Sequence, residues 1–284
     1  MENILEIRSL SKDYGSFKLD NISFDVPRGS IMGLIGENGA GKTTIIKLIL
    51  NLIKKDSGEI RIFGEEASEK VLKDRIGVVL DESSFYESFS PQDIEKVMAN
   101  IYDRWDSEAY RSYIEKFGLP EKKRVKEFSR GMKMRLALSV ALSHNAELLI
   151  LDEAMSGLDP VARNDIMDVF FEFIQNEKCS ILISSHITGD LEKISDYITF
   201  IHKGGLLLTE SKDELMGEYG IIRCGSEDFV RIEKSDIVAA LKSAFNHSIL
   251  VKDKEKIRKK YPGLAIDTAD LEDIMLFYVR GEKQ

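Results

Sequence analysis

The sequence predicts an α/β protein: a mostly parallel sheet with an N-terminal antiparallel β subdomain, a helical insertion and a small C-terminal α+β extension. Three observations support this. Apolar–polar alternation marks the start of the chain, continuous apolar runs then alternate with helical stretches, and strand signals stop between residues 81 and 145. Alternation is typical of half-buried antiparallel strands, and continuous apolar runs are typical of buried parallel strands.

The strands of the first 218 residues follow in order. Residues 3–9 and the segment FKLDNISFDV alternate apolar and polar residues, which predicts two antiparallel strands. The run SIMGLIG predicts a strand, and KTTIIKLILNLI after it has helical periodicity. Further buried strands, separated by helical stretches such as DPVARNDIMDVFFEFIQ, are predicted for RIGVVL, ELLILD, CSILISS and YITFIH.

Two regions depart from this alternation. Residues 82–145 predict a helical insertion, with Ser90 as an N-cap, Pro91 at the first helical position, and helices in SPQDIEKVMANIY, DSEAYRSYIEKFGL and RGMKMRLALSVALSH. From Tyr219 onward, weak strands (GIIRC, SILVK) mix with helices (SDIVAALKSAF, DLEDIMLFYV). We therefore expect one domain over residues 1–218 and an α+β extension over residues 219–284.

Composition excludes several classes of function. Lys and Arg number 40 against 49 Asp and Glu, a net charge of -9, so nucleic acid is not the expected partner. The two cysteines lie far apart and the N-terminus has no signal-peptide pattern, which indicates a reducing cytosol. Because charged or polar residues interrupt every long apolar window, we expect any membrane role to need a partner subunit.

The segment GENGAGKT fits the phosphate-loop pattern G-x-x-x-x-G-K-[ST], and it stands between a predicted strand and a predicted helix. Glycines let backbone N–H groups surround a polyphosphate, the lysine reaches the outer phosphates, and the threonine hydroxyl ligates Mg²⁺. A glycine turn that only caps a helix would explain neither of the last two residues. The candidate ATP-binding residues are Gly36, Asn38, Gly39, Ala40, Gly41, Lys42, Thr43 and Thr44.

A buried strand in ELLILDE delivers two carboxylates to its end, where ligands bind in open α/β sheets. Asp152 suits the Mg²⁺ shell, and Glu153 is the candidate to polarise a water that attacks the γ-phosphate. Two acidic residues after a strand can also be ordinary residues of a solvated loop, with no role in catalysis. Their pairing with a phosphate loop favours catalysis.

Four more segments, EFSRGMKMR, SGLD, ISSH and SKDYGSF, complete a set of ordered motifs. Over roughly residues 3–215 the chain resembles the ATP-binding subunit of ABC transporters. The resemblance implies a P-loop NTPase sheet, the cofactors ATP and Mg²⁺, and ATP hydrolysis. It further implies that two ATPs are held between two ATPase chains, in a homodimer or heterodimer, and that multi-span membrane permease subunits are partners at the cytoplasmic face of the cell membrane.

The resemblance also assigns residues. Ser129 and Gly131 match the signature segment, which would contact the γ-phosphate of the partner's ATP, while Ser129 can equally be a plain N-cap. Asp159 belongs to the D-loop, and His186 holds the position of the switch histidine, although a histidine at a strand end is often structural. Tyr14 holds the position of an aromatic that stacks on adenine, although it can also be packing.

Two positions depart from the family pattern. Asp81 stands where the family usually has a glutamine, and as a carboxylate it is a candidate Mg²⁺ ligand that would need a bridging water. Arg130 replaces the first glycine of the signature segment, and its guanidinium can reach a ribose or phosphate across the interface or face solvent, which we favour.

Family resemblance places the docking site for the membrane subunits on the helical insertion, near SSFYESF. Phe85, Tyr86 and Phe89 are candidates for that contact or for the core of the insertion. The extension after Tyr219 either adds a dimer contact or covers its own domain.

Together these features predict an ATPase subunit that drives transport, with export as the expected direction. An ATP-gated clamp on DNA or ribosomes is an alternative, but no long coiled-coil insertion or basic surface is evident. An ATP-binding switch with weak hydrolysis, caused by Asp81 or Arg130, is another alternative.

Overall fold

The computed structural model describes residues 2–67, 75–80, 85–242 and 246–282. Its strands are β1 (Asn3–Asp13), β2 (Lys18–Pro27), β3 (Ile31–Ile35), β4 (Ser57–Ile62), β5 (Glu65–Glu66), β6 (Ile76–Val79), β7 (Leu148–Asp152), β8 (Ser180–Ser185), β9 (Tyr197–His202), β10 (Gly205–Ser211), β11 (Gly220–Cys224), β12 (Ala239–Lys242), β13 (His247–Val251) and β14 (Ile266–Thr268). Its α-helices are α1 (Lys42–Ile49), α2 (Pro91–Ile101), α3 (Ser107–Lys116), α4 (Arg130–Leu142), α5 (Pro160–Ile174), α6 (Thr188–Ile194), α7 (Lys212–Glu218), α8 (Ser226–Arg231), α9 (Lys254–Lys260) and α10 (Leu271–Arg280).

The central sheet has the order β10-β9-β3-β8-β7-β6. Strands β9, β3, β8, β7 and β6 run parallel, and β10 is antiparallel to β9. Successive residues alternate between two hydrophobic cores: Ile31 and Ile35 face one core, whereas Met32 and Leu34 face the other. The strands are therefore buried on both faces, which explains their continuous apolar runs and confirms the α/β prediction.

The N-terminal subdomain is an antiparallel sheet of order β2-β1-β4-β5 that packs with α1 against one face of the central sheet. The sequence correctly predicted β1 and β2. It did not predict β4 and β5, which complete this sheet. The helix after the phosphate loop ends at Ile49, several residues before the end of its apolar run, and Asn51 then has a φ of 54°.

The helical insertion contains α2, α3, α4 and a 3-10 turn at Val125–Glu127. Ser90 caps α2 and forms a capping box with Asp93, and Pro91 is its first residue, as predicted. Phe85 and Phe89 pack against the main core, whereas Tyr86 is 76% exposed. Within the described residues, no helix is both long enough and apolar enough to span a membrane.

The C-terminal extension has the chain order β-α-β-β-α-β, followed by helix α10, and the antiparallel sheet order β12-β13-β11-β14. This is the topology of the split β-α-β, or ferredoxin-like, motif. One face of this sheet forms a small separate core with α9, which includes Ile222, Ile249 and Ile257. The sequence indicated an α+β extension, but it did not indicate this specific topology.

The prediction of a helix over SDIVAALKSAF is wrong. The described part of this segment forms a 3-10 turn at Lys234–Asp236 followed by strand β12. Ala239 faces the main core and Ala240 faces the small core of the extension, so β12 is buried on both sides. The segment is a strand, although its two alanines favour a helix, because it pairs with β13 and with Glu282.

The other face of the extension belongs to the main core of the protein. Ile221, Leu250, Ile274 and Phe277 are buried in the same cluster as the central strands. Helix α10 packs against α6, and the Leu271 N–H donates to Glu192 of α6 at 3.4 Å. The division at residue 218 remains a prediction, but the hydrophobic core is continuous across it.

This shared core predicts the effect of shortening Phe277, which is 2% exposed. We expect Phe277→Ala to lower the free energy of unfolding by about 3–5 kcal/mol, because it leaves a cavity in the core. Denaturant titration of the full chain, with loss of ATP binding as the probe, measures this effect. Leu276→Ala on the same helix, at a 37% exposed position, is the control and should cost under about 1 kcal/mol. An unchanged midpoint for Phe277→Ala would show that the extension does not support the nucleotide site.

Candidate functional site

Three neighbouring strands end at the same edge of the central sheet and carry the site. Strand β8 lies between β3 and β7, and all three run parallel. The phosphate loop follows β3, Glu153 follows β7, and His186 follows β8. Parallel order therefore brings together three segments that are far apart in sequence.

The phosphate loop spans residues 36–41 and leads into α1. Gly41 has a φ of 116°, outside the range of ordinary side-chain-bearing residues. A Cβ atom at Gly36 would collide with the carbonyl oxygen of Ile201 on β9. The loop is thus curved and closely packed against β9, and it leads into the N-terminus of α1, whose first amides are suited to bind an anion.

The Lys42 ammonium lies across the inside of this loop. The side chain is 5% exposed, and Nζ donates to the carbonyl oxygens of Gly36 at 2.7 Å and Glu37 at 3.3 Å. Nζ is also 3.2 Å from Glu153 Oε1. A buried ammonium at this position can form strong charge-assisted hydrogen bonds to the phosphates of a bound nucleotide.

Glu153 is held in an unusual backbone conformation. Its φ is 52°, in the left-handed region, which costs of order 1–3 kcal/mol for a residue other than glycine. Ser184 of β8 stabilises this conformation, since Ser184 Oγ and O accept from the Glu153 N–H at 3.1 and 3.2 Å. The Glu153 side chain is 14% exposed, and its Oε2 lies 2.7 Å from His186 Nδ1. The Glu153 carboxylate therefore lies between the Lys42 ammonium and the His186 ring.

Asp152 lies one residue earlier and is 3% exposed. Ser184 Oγ donates to Asp152 Oδ1 at 2.5 Å. Ser184 thus binds both Asp152, the last residue of β7, and Glu153, the residue after it. Sequence reasoning missed this role, although the serine pair in ISSH is a visible signal beside the predicted histidine.

The phosphate loop and Glu153 line a cleft of about 480 Å³. Its lining consists of Phe17, Asn38, Gly39, Ala40, Gly41, Lys42, Thr43, Thr44 and Glu153. Phe17 was not predicted, and it packs beside Gly41. Tyr14 is not among the lining residues: it is 50% exposed, and Lys12 Nζ lies 5.6 Å from its ring centroid. Adenine stacking on Tyr14 therefore remains a prediction.

The donors for a Mg²⁺ ion are few. In the described part of the chain, no group of three or more His, Cys, Asp or Glu side chains could hold a metal ion. Thr43 lines the cleft and Asp152 is buried at the end of β7, and both supply the hard oxygen ligands that Mg²⁺ prefers. Asp81 lies outside the described residues. The donor set fits a Mg²⁺ that takes most of its ligands from water and nucleotide phosphates.

The signature residues lie in a second group, outside the lining of this cleft. Ser129 caps α4, and its Oγ accepts from the Met132 N–H at 3.2 Å, as expected for an N-cap. A Cβ at Gly131 would be 3.8 Å from side-chain atoms of Leu158 and Ala162, so the start of α4 lies beside the D-loop. Ser129 is exposed, so its hydroxyl and the first amides of α4 are open to a partner.

Arg130 is exposed, and its guanidinium also contacts the D-loop. A Cβ at Gly157 would be 2.8 Å from Arg130 Nη1. The preference for a purely solvent-facing arginine was therefore incomplete. The side chain links the signature segment to the loop before α5.

Asp159 caps α5. Its Oδ1 accepts from the N–H groups of Ala162 and Val161, each at 3.0 Å. The Ala162 amide, followed by that of Val161, lowers the pKa of the Asp159 carboxyl below its usual value. This cap fixes the end of the D-loop, and a contact of Asp159 with nucleotide remains a prediction.

Comparisons with known proteins identify the family. The family described as ABC transporter matches residues 19–156. The chain is 37% identical over 213 residues to the lantibiotic transport ATP-binding protein SrtF of Streptococcus pyogenes, which covers 74% of this chain and 92% of SrtF. The chain belongs to the ABC transporter family. It is an ATP-binding, ATP-hydrolysing subunit of the kind that powers transport through separate membrane subunits.

Two further similarities agree with this membership in the ABC transporter family. The bacitracin transport ATP-binding protein BcrA of Bacillus licheniformis is 39% identical over 212 residues, which covers 73% of this chain and 69% of BcrA. A solved ATP-binding subunit of an ABC transporter superposes with a TM-score of 0.68 at 26% identity, over 75% of this chain and 92% of that one. The predictions of family, fold class and ATPase activity are thereby confirmed.

Proposed function

We propose that this chain hydrolyses Mg-ATP between itself and a second ATPase chain and so powers export through membrane permease subunits. The observation that carries the proposal is the line of contacts from Lys42, in the phosphate-loop cleft, through Glu153 to His186. Transport is supported by SrtF and BcrA, whose names assign them to lantibiotic and bacitracin transport, and export is the direction that we propose.

The chemistry follows from these side chains. The Lys42 ammonium forms an ion pair with the Glu153 carboxylate. When ATP enters, its phosphates attract the Lys42 ammonium, and Glu153 becomes available to accept a proton from a water molecule. That water's oxygen forms a bond to the γ-phosphorus while the bond from the γ-phosphorus to the oxygen bridging to ADP breaks. The products are ADP and inorganic phosphate.

His186 Nδ1–H donates to the Glu153 carboxylate, so the orientation of the ring is fixed from one side. The remaining ring nitrogen can approach the γ-phosphate and stabilise charge as it develops. Mg²⁺, when bound, would neutralise phosphate charge, and Thr43, Asp152 and Asp81 are the residues proposed to hold it.

A two-chain site is supported by the separation of the two groups of residues. Ser129 and the amides near Gly131 lie at an exposed helix N-terminus, which is suited to bind an anion. They do not line the chain's own cleft. A second copy or a related chain, placed face to face, would complete each cleft, and a two-fold arrangement gives two equivalent sites.

The proposed location is the cytoplasmic face of the cell membrane, in contact with the permease subunits. Tyr86 on the helical insertion is the best placed of the three aromatic candidates, because it is 76% exposed and its ring lies 5.4 Å from Phe89. Phe85 and Phe89 support it from the core.

His186→Ala tests the catalytic part of this proposal. We expect kcat for phosphate release by the full chain to fall about 10²–10³-fold, because a donor to the developing charge is lost. The dissociation constant of ATP should change little. His247→Ala, in the extension, is the control and should retain activity. Full turnover in the His186→Ala variant would remove this histidine from the mechanism.

A further inference from the structure

One arginine joins the D-loop to the helix that follows the switch histidine. Arg163 lies in the first turn of α5, directly after the D-loop of residues 156–159. Its Nη2 donates to the carbonyl oxygen of Leu158, in that loop, at 3.2 Å. Its Nη1 donates to Asp190 Oδ1, on α6, at 3.2 Å. Helix α6 begins two residues after His186.

The acidic partner is buried. The Asp190 side chain is 4% exposed and the Arg163 side chain is 25% exposed. Within the described residues, Asp190 Oδ2 and Arg163 Nε have no hydrogen-bond partner, so the pair is incompletely satisfied. A buried and partly unsatisfied ion pair is a poor device for stability, because an apolar pair of similar size often serves better. Its geometry therefore suggests another role.

We propose that Arg163 and Asp190 are a positioning pair, which transmits the position of the D-loop to His186. The proposal rests on the proposed function, in which His186 acts on the γ-phosphate. A change in the D-loop when a second chain docks would move the Leu158 carbonyl. Arg163 would follow it and pull on α6, which begins two residues after His186, and would so change the position of His186 beside Glu153. Assembly of the two chains would thereby set the geometry for hydrolysis.

The planar guanidinium is central to this link. Its two terminal nitrogens are directed to two acceptors on different elements at once, a fork geometry that a single ammonium does not reproduce. Arg163→Lys therefore keeps the charge but separates the D-loop from α6. Asp190→Asn keeps the shape of the carboxylate but removes its charge.

The test compares these two variants and their combination in the purified full chain. We expect Arg163→Lys and Asp190→Asn each to lower kcat for phosphate release from Mg-ATP by about 10–100-fold, since small misplacements of reacting groups have effects of this size. KM and the dissociation constant of ATP should stay within about threefold of wild type. The double variant should be no slower than the slower single variant, because both changes break one link.

The control is Glu172→Gln, on the same helix α5. Glu172 forms an exposed ion pair with Lys116 at 2.5 Å, and its loss should leave kcat unchanged. ATP-binding stoichiometry reports the folded fraction of each variant. Normal kcat in folded Arg163→Lys and Asp190→Asn, or a kcat loss that tracks the loss of ATP-binding sites, would overturn the positioning pair. Glu153→Gln reports on the proposed function alone, since turnover in that variant contradicts the function whatever the pair does.

Discussion

Glu153→Gln is expected to abolish nearly all ATP turnover while leaving ATP binding intact. A positioned general base contributes about 10²–10⁴-fold to the rate, and glutamine keeps the shape of the side chain but does not accept the proton at neutral pH. The carboxylate's two contacts, with Lys42 and His186, fix its position. Phosphate release and equilibrium binding of ATP measure the two halves of this prediction.

The control is Glu177→Gln, an exposed acid after α5 that is remote from the cleft. It should match the wild-type rate. If Glu153→Gln released phosphate at the wild-type rate, another group would have to be the base. Loss of ATP binding in the same variant would instead indicate that Glu153 supports the shape of the cleft.

Lys42→Ala is expected to weaken ATP binding by about 30–3,000-fold. Truncating one member of a buried, hydrogen-bonded charge pair costs about 2–5 kcal/mol, and each 1.4 kcal/mol is tenfold in the dissociation constant. The same change leaves the Glu153 carboxylate without its cation beside the bound phosphates, so repulsion between these anions adds to the loss of affinity. Titration with a fluorescent ATP analogue or calorimetry gives the dissociation constant.

Lys47→Ala provides the matched control, since Lys47 is an exposed lysine in the last turn of the same helix α1. Its ATP affinity should be that of the wild type. Equal affinities for Lys42→Ala and wild type would mean that the loop amides alone bind the phosphates.

Local signals explain what the sequence could predict. The glycine-rich loop, Lys42 and the acids after β7 lie within short segments whose strand–loop–helix context is visible in the hydrophobic pattern. Parallel strands bring their carboxyl ends to one edge, so the meeting of these segments with His186 also followed from fold class.

Long-range contacts explain the features that the sequence did not predict. Phe17 reaches the cleft because of how β2 begins beside Gly41, a tertiary relation that no local pattern encodes. Ser184 acts on two acids 31 and 32 residues away in sequence. The strand β12 was predicted as a helix because its alanines favour helix, whereas burial on both faces decides the structure.

The extension shows the same limit at a larger scale. Its sheet shares one face with the main core and closes the other with its own helices, so its pattern of apolar residues serves two cores at once. Through the contact of α10 with α6, the extension packs against the helix that follows His186.

Sedimentation of purified Glu153→Gln protein with and without Mg-ATP tests the central claim most directly. The account predicts that the chain sediments as a monomer without nucleotide and at twice that mass with saturating Mg-ATP, and that it returns to monomer when Ser129→Arg is added to block the exposed helix terminus. A Glu153→Gln chain that binds Mg-ATP yet remains monomeric, both alone and with its membrane subunits, would contradict the account.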